Sequence, residues 1–249
     1  MTQIKWHYDW ISTESIIAQY ANTPHEVVPV DTMRKTIARR LLESKQTVPH
    51  FYLVAHCRVD ALLELRRQIN AADVGKVSVN DLVVKAVAAA LREVPEANAI
   101  WTPDATRRFS SVDIAVAVSV DGGLLTPVVR GVDRMPLSEL SATVRDLADR
   151  ARAGRIKQHE LEGGSFSVSN LGMYGISEFS AILNPPQAGI LAVGVAEKRP
   201  VVGADDTIEV ATMMTVTLSA DHRVLDGALA AQWLAAFVAR IENPLQILL

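Results

Sequence analysis

Hydrophobic and polar positions along this chain follow two rhythms. In "DTMRKTIARRLLESK" the apolar residues recur at helical spacing. Met33, Ile37, Ala38 and Leu41 share one face, Asp31 or Thr32 is placed to cap the start, and Pro49 ends the run. "HFYLVAHCRVD" then alternates with period two, as a strand does, and "DALLELRRQINA" returns to an amphipathic helix with Asp60 at its cap. "SVNDLVVKAVAAALREV" predicts a stronger helix, started by Ser78 or Asn80 and stopped by Pro95. Leu82, Val83, Ala86, Val87, Ala90 and Leu91 give it a wide apolar face.

The period changes after that point. "SSVDIAVAVSV" alternates, Asp121-Gly122-Gly123 supplies a turn, and "LLTPVVRG" resumes an extended run. "PLSELSATVRDLADRARAG" predicts a helix with Gly154 at its C-terminal end. "GGSFSVSNLG" reads as a strand entering a glycine-bounded loop. "AGILAVGVA" and "ATMMTVTLSA" are nearly unbroken apolar strands, the pattern of a sheet covered on both faces. "GALAAQWLAAFVARI" closes as a helix, and the tail "NPLQILL" is more apolar than a free terminus usually is. Residues 1–29 stand apart as an arm or linker, with a short helix near "TESIIAQYA" and a break at Val28-Pro29. The pattern predicts one α/β domain over residues 30–249, built on a large sheet. It does not suggest a doubly wound nucleotide fold, because no glycine-rich loop joins an early strand to a helix.

Composition narrows the class further. Hydrophobic residues make up 49% of the 249 positions and charged residues 21%, as in a globular protein with a sizeable core. A net charge of −3, dispersed along the chain, offers no basic field for nucleic acid. No apolar stretch reaches the roughly 18–20 residues that span a bilayer. The start has neither signal-peptide nor transit-peptide pattern, so the cytosol is the expected compartment. The single cysteine, Cys57, excludes an internal disulfide framework and fits a reducing compartment. Its place in a strand-like run predicts a buried structural thiol and not a nucleophile.

The candidate chemistry lies in "SADHRVLDG". His222 follows an apolar strand and precedes a helix, on a tight connection that projects its side chain from the sheet's end. Asp226 and Gly227 fall at the helix start, where an acid caps free amides. A metal site is not expected, since the other histidines (His7, His25, His50, His56 and His159) show no ligand spacing apart from His50 and His56 within one strand. A general base is chemically natural, because imidazole titrates near neutrality. Alone, His-x-x-x-Asp-Gly is a weak pattern.

It has company. "DHRVLDG" together with "GGSFSVSNLGMYG", "NPPQAGILAVG", "MRKTIARRLLESKQTVPHFYL", "VNDLVVKAVAAAL" and "PEANAIW" resembles the catalytic core of the dihydrolipoamide acyltransferases. These are the E2 components of 2-oxoacid dehydrogenase complexes, and the acetyltransferase of the pyruvate complex is the nearest type. The resemblance implies a chloramphenicol acetyltransferase-like fold, a mixed sheet flanked by helices. It implies homotrimers with active sites between subunits, assembled into a shell of about 24 or 60 copies. It implies that His222 takes the proton of an attacking thiol, that the Ser169 hydroxyl hydrogen-bonds the tetrahedral oxyanion, and that Asp226 holds the geometry. Coenzyme A is then a substrate, the lipoyl group comes from a separate domain or protein, and E1 and E3 components are partners; no metal, nucleic acid or membrane is involved. Thiol-to-thiol acyl transfer is nearly thermoneutral, so it needs a base and an oxyanion donor but no energy source.

The thirty residues ahead of the core cannot hold the lipoyl domain that family members carry. The chain is therefore expected to be an excised core or a stand-alone acyltransferase fed in trans. Two alternatives stay open: a biosynthetic acyltransferase of the same fold with another carrier or acceptor, and a catalytically silent scaffold. Among the remaining motifs, "NPPQ" predicts a rigid turn. Lys85 is an odd charge near an apolar face, read as snorkelling or paired with an acid ahead of a contact with a coenzyme A phosphate. Arg223 is expected to pair with a carboxylate. Trp6 and Trp10 are read as part of an arm on a neighbouring subunit, and "PLQILL" as an apolar plug.

Overall fold

The computed structural model describes residues 12–72 and 75–248; Trp6, Trp10 and the last residue of the apolar tail lie outside them. The chain divides into two compact units, Met1–Thr32 and Met33–Leu249. In the first, α1 (Thr13–Gln19) is capped by Ser12, whose hydroxyl accepts from the Ser15 amide at 3.1 Å, and it buries no residue.

The remaining helices are α2 (Thr32–Thr47), α3 (Asp60–Ala71), α4 (Val79–Glu93), α5 (Leu137–Arg152) and α6 (Gly227–Glu242). The strands are β1 (His50–Arg58), β2 (Ala99–Thr102), β3 (Ala105–Arg108), β4 (Ile114–Val116) and β5 (Val118–Val120). They continue with β6 (Gly123–Leu125), β7 (Val128–Val129), β8 (Phe166–Asn170), β9 (Gly189–Val202) and β10 (Ile208–Asp221). Six strands form one mixed sheet in the order β1-β10-β9-β8-β4-β7, while β2–β3 and β5–β6 are separate hairpins. β8 runs parallel to both β4 and β9, and the other neighbours are antiparallel.

Register puts Leu53, Leu218, Leu191, Val168 and Val116 in one row on one face of the sheet. That face packs with the apolar stripes of α4 and α6 into a single core. Trp233 on α6 lies 4.7 Å from Phe166 and 5.9 Å from Phe237, centroid to centroid. Burying side chains of this size contributes about 1.5–3 kcal/mol each. The start of α4 is held by a capping box in which the Ser78 hydroxyl accepts from the Asp81 amide and the Asp81 carboxylate accepts from the Ser78 amide.

Four local expectations change. The face of α2 carrying Met33, Ile37, Ala38 and Leu41 stays largely open within the chain, and only Ser44 of this helix is buried. Asp60 is the first residue of α3 and not its cap; its carboxylate accepts from the Thr212 amide and hydroxyl, tying α3 to β10. "SSVDIAVAVSV" breaks in two, because the Ala117 amide donates to the Val168 carbonyl while β5 leaves to pair with β6. β9 and β10 run well past their apolar segments into "EKRPVV" and "IEV". Charge hides that extension from a hydrophobicity pattern, but ladder pairing from Ala196–Met214 out to Val202–Ile208 satisfies the backbone. Cys57 is buried as expected, and burial, with Glu242 adding to it, pushes its thiol up to about 12. At neutral pH it stays protonated and is no nucleophile.

Candidate active site

β10 ends in a turn built on its own last carboxylate. Asp221 is 3% exposed and donates its amide to the Ala188 carbonyl at 2.9 Å. Its Oδ1 accepts from the Arg223 amide at 3.0 Å, closing an Asx turn whose central residue is His222. The Arg223 guanidinium returns to the same carboxylate, Nε to Oδ1 at 2.9 Å and Nη2 to Oδ2 at 2.7 Å. This is the carboxylate partner expected for Arg223. The His222 amide donates to the Pro49 carbonyl at 3.0 Å. Its exposed ring meets Phe51 edge-on, with centroids 5.0 Å apart and planes at 72°. An imidazole is thus presented to solvent from a backbone fixed on both sides.

Asp226 is the N-cap of α6, where its carboxylate accepts from the Leu229 amide at 2.8 Å. It serves the helix that carries the His222 loop into the core. Asp226→Ala should therefore cost about 1 kcal/mol of stability, and Asp226→Asn far less because an amide oxygen also caps. Thermal melts of the two variants check this: an equal loss in both would remove the capping role.

Ser169 is half-buried near the end of β8. Register places it in one row with Ala192, Thr217 and Val54, on the sheet face opposite the helices. The loop after it passes unusually close to β9. A Cβ on Gly194 would lie 2.1 Å from the Ser177 carbonyl oxygen, and one on Gly172 2.8 Å from that of Gly194. Only glycine lets the two backbones approach so closely. The "SNLG" glycine therefore fixes where the strand that carries Ser169 ends.

The chain does not bring Ser169 and His222 together. Ser169 is level with Thr217, two strands away, and His222 lies five residues beyond Thr217, just past the end of β10. At about 3.3 Å per residue and about 4.8 Å per strand, their backbones are roughly 20 Å apart. The His222 imidazole and the Ser169 hydroxyl stand at separate places in each chain, so a site that uses both must draw on two copies.

Other charged and polar candidates have structural work. Lys85 donates its ammonium to the carbonyls of Val132, Asp133 and Met135 at 3.0, 3.1 and 2.7 Å, which takes up its three hydrogens. It neither snorkels nor offers a free charge to a phosphate. Burial lowers its pKa, and the nearby Asp133 carboxylate opposes that. The His50 Nε2 accepts from the Leu183 amide at 3.1 Å, which leaves Nδ1 to donate to the Val48 carbonyl at 2.9 Å. The "NPPQ" turn is anchored where the buried Ser167 hydroxyl donates to Gln187, and the Ser165 hydroxyl likewise bonds Asn98 of "PEANAIW". Among the described residues no three His, Cys, Asp or Glu side chains converge on one point. Asp221, Phe51 and Trp101 escaped the sequence reading. An acid two residues before an arginine, at a strand end, is the signal that marks Asp221.

The family model of the 2-oxoacid dehydrogenases acyltransferase (catalytic domain) matches residues 22–249. The chain belongs to that family. It is 51% identical over 224 residues to the pyruvate dehydrogenase complex acetyltransferase component of Dictyostelium discoideum, covering 89% of this chain and 35% of the relative. The corresponding component of Rhizobium meliloti is 49% identical over 245 residues, covering 96% of this chain and 55% of that one. The chain thus spans from about a third to just over half of the length of these relatives.

Solved family structures agree. The dihydrolipoamide acetyltransferase of Azotobacter vinelandii, studied for the catalytic roles of one serine, one histidine and one asparagine, superposes with a TM-score of 0.87 at 31% identity. It covers 92% of this chain and 96% of its own. A probable dihydrolipoamide acetyltransferase of Listeria monocytogenes gives 0.83 at 33%, covering 88% and 95%. Chloramphenicol acetyltransferase, at 13% identity and a TM-score of 0.54 over 90% of this chain and 99% of its own, shares the fold. The family's mixed sheet flanked by helices is the architecture described above.

Proposed function

We propose that this chain is the catalytic core of an acyltransferase that moves an acyl group, acetyl in the first instance, between dihydrolipoamide and coenzyme A. The observation that carries the reading is the exposed His222 on its rigid turn, in a chain that also supplies a strand-end hydroxyl at Ser169. Position supports it as well. In the Azotobacter protein the studied histidine and asparagine stand four residues apart, as His222 and Asp226 do, and its serine precedes the histidine by 52 residues against 53 here.

The neutral His222 imidazole takes the proton of the incoming thiol as sulfur attacks the thioester carbonyl. Ser169 of an adjacent copy donates its hydroxyl hydrogen to the resulting oxyanion. Collapse breaks the old carbon–sulfur bond, and the departing thiolate receives the proton held by the imidazolium. Protons balance, and the enzyme returns to its starting state. The roughly 20 Å between the two residues within one chain calls for at least two copies per site, and a cyclic homotrimer with one site at each interface meets that need. A larger shell, a lipoyl carrier and E1 and E3 partners belong to the same reading. The cubic core of a pyruvate dehydrogenase complex is among the solved structures this chain resembles, with a TM-score of 0.87 at 31% identity.

Purified protein, given acetyl-CoA and free dihydrolipoamide, should yield S-acetyldihydrolipoamide and coenzyme A, each quantified by liquid chromatography because the total thiol does not change. Transfer to an alcohol or amine but not to dihydrolipoamide would establish a biosynthetic acyltransferase instead, and no transfer at all a scaffold.

A further inference from the structure

We propose that Arg223 and Trp101 are positioning residues for His222: together they lock the Asx turn at whose centre the base sits. The inference rests on the reading of His222 as general base. The guanidinium is gripped along its edge by Asp221, and its flat face lies over the indole of Trp101 with 4.0 Å from its central carbon to the ring centroid. Asp221's side chain is 4% exposed and Arg223's 28%, so the pair lies mostly out of water. A third, longer bond runs from Nη1 to the Thr47 carbonyl at 3.4 Å.

An Asx turn by itself needs only the bond from the carboxylate to the amide two residues on. The fork and the stack go beyond that. They fix residue 223 relative to residue 221, and the backbone torsions left between those two anchors are those of His222. Trp101 is itself tied to the same place. It stands on β2 beside Ile100, which bridges to Gln187, and the next residue, Ala188, accepts the Asp221 amide. The path from the indole through the guanidinium and carboxylate to β10, and back through Ala188 and Gln187 to β2, is closed. Arginine is required on it, because lysine carries charge but neither the fork nor the plane. Neither side chain is placed in the chemistry, so their effect should fall on the rate of the reacting complex and leave substrate affinity alone.

The test is steady-state kinetics of the full chain with acetyl-CoA and dihydrolipoamide, for Trp101→Leu, Trp101→Phe and Arg223→Lys, with His222→Ala alongside. Trp101→Leu and Arg223→Lys should each lower kcat about tenfold, since misplacement of about 1 Å costs up to about a hundredfold. Both KM values should stay within about twofold, and Trp101→Phe, which restores an aromatic face, should recover most of the rate. Wild-type kcat in Trp101→Leu and Arg223→Lys, beside an inactive His222→Ala, would overturn the proposal and leave the base intact. So would a rise in KM matching the fall in kcat, which would mean direct contact with substrate. Should Arg223→Lys fail to fold, the comparison of leucine with phenylalanine at the half-buried position 101 decides alone. An active His222→Ala would sink the reading beneath it instead.

Discussion

His222→Ala should lose about three orders of magnitude in kcat at neutral pH and keep its fold. A positioned base contributes about 10²- to 10⁴-fold, and the two histidines of β1 are committed elsewhere, His50 to Val48 and Leu183 and His56 to Thr215. The fold should survive because little rests on the ring. It is exposed and touches Phe51 by an edge, whereas the backbone of the turn is held by Pro49, Asp221 and Arg223, all of which remain. Size-exclusion elution and the melting temperature should therefore match the wild type, within about a degree or two.

The pH dependence of the residual rate makes this prediction sharper. Without a base, the variant depends on thiol that ionises unaided, with a pKa of about 8.5. Below that value the thiolate fraction rises tenfold per pH unit, so the logarithm of the variant's rate should climb with unit slope and flatten above it. The wild type should lack that steep climb near neutrality. A variant with wild-type turnover, or one whose residual rate ignores pH, would mean that the thiol loses its proton elsewhere.

Much of the fold was legible because burial imposes a period. The faces of α4 and α6 and the inner halves of β9 and β10 are rows of apolar residues that have only one place to go. The pattern was silent where pairing, and not burial, makes structure. The outer hairpin of β9 and β10 is held by backbone bonds between charged residues. It was also misleading at α2, whose apolar stripe resembles a buried face yet stays open in a single chain. A stripe that stays open looks the same in sequence as one that is covered. The site divides in the same manner. His222, Ser169 and Asp226 are marked by residue type at a strand end, a glycine-bounded loop and a helix start. Asp221, Phe51 and Trp101 act through tertiary neighbours: β1, β2 and β10 meet at the His222 loop although some 120 residues separate Trp101 from Asp221 in the chain.

Ser169→Ala should lower kcat by about 10²- to 10³-fold, the value of one oxyanion donor at roughly 2.7–4 kcal/mol, with KM for coenzyme A within about twofold. The asymmetry follows from where the bond acts. A thioester oxygen in the ground state is a weak acceptor, whereas the tetrahedral oxyanion carries a full charge, so the hydroxyl's contribution appears chiefly in the transition state. Stability should change little, because the substitution removes one oxygen from a half-buried position facing Ala192 across β9. The same variant also tests which copies build the site. If Ser169 and His222 act across an interface, a chain lacking one residue complements a chain lacking the other. Co-expressing Ser169→Ala and His222→Ala subunits in equal amounts and assembling them at random leaves about a quarter of interfaces with both native groups. Turnover should then return to about a quarter of the wild-type level, far above either variant alone. A site closed within one chain would give no recovery at any mixing ratio. The roughly 20 Å between the two residues could then be spanned only by a rearrangement of β8 relative to β10, two strands held apart by β9 and bonded to it along their length.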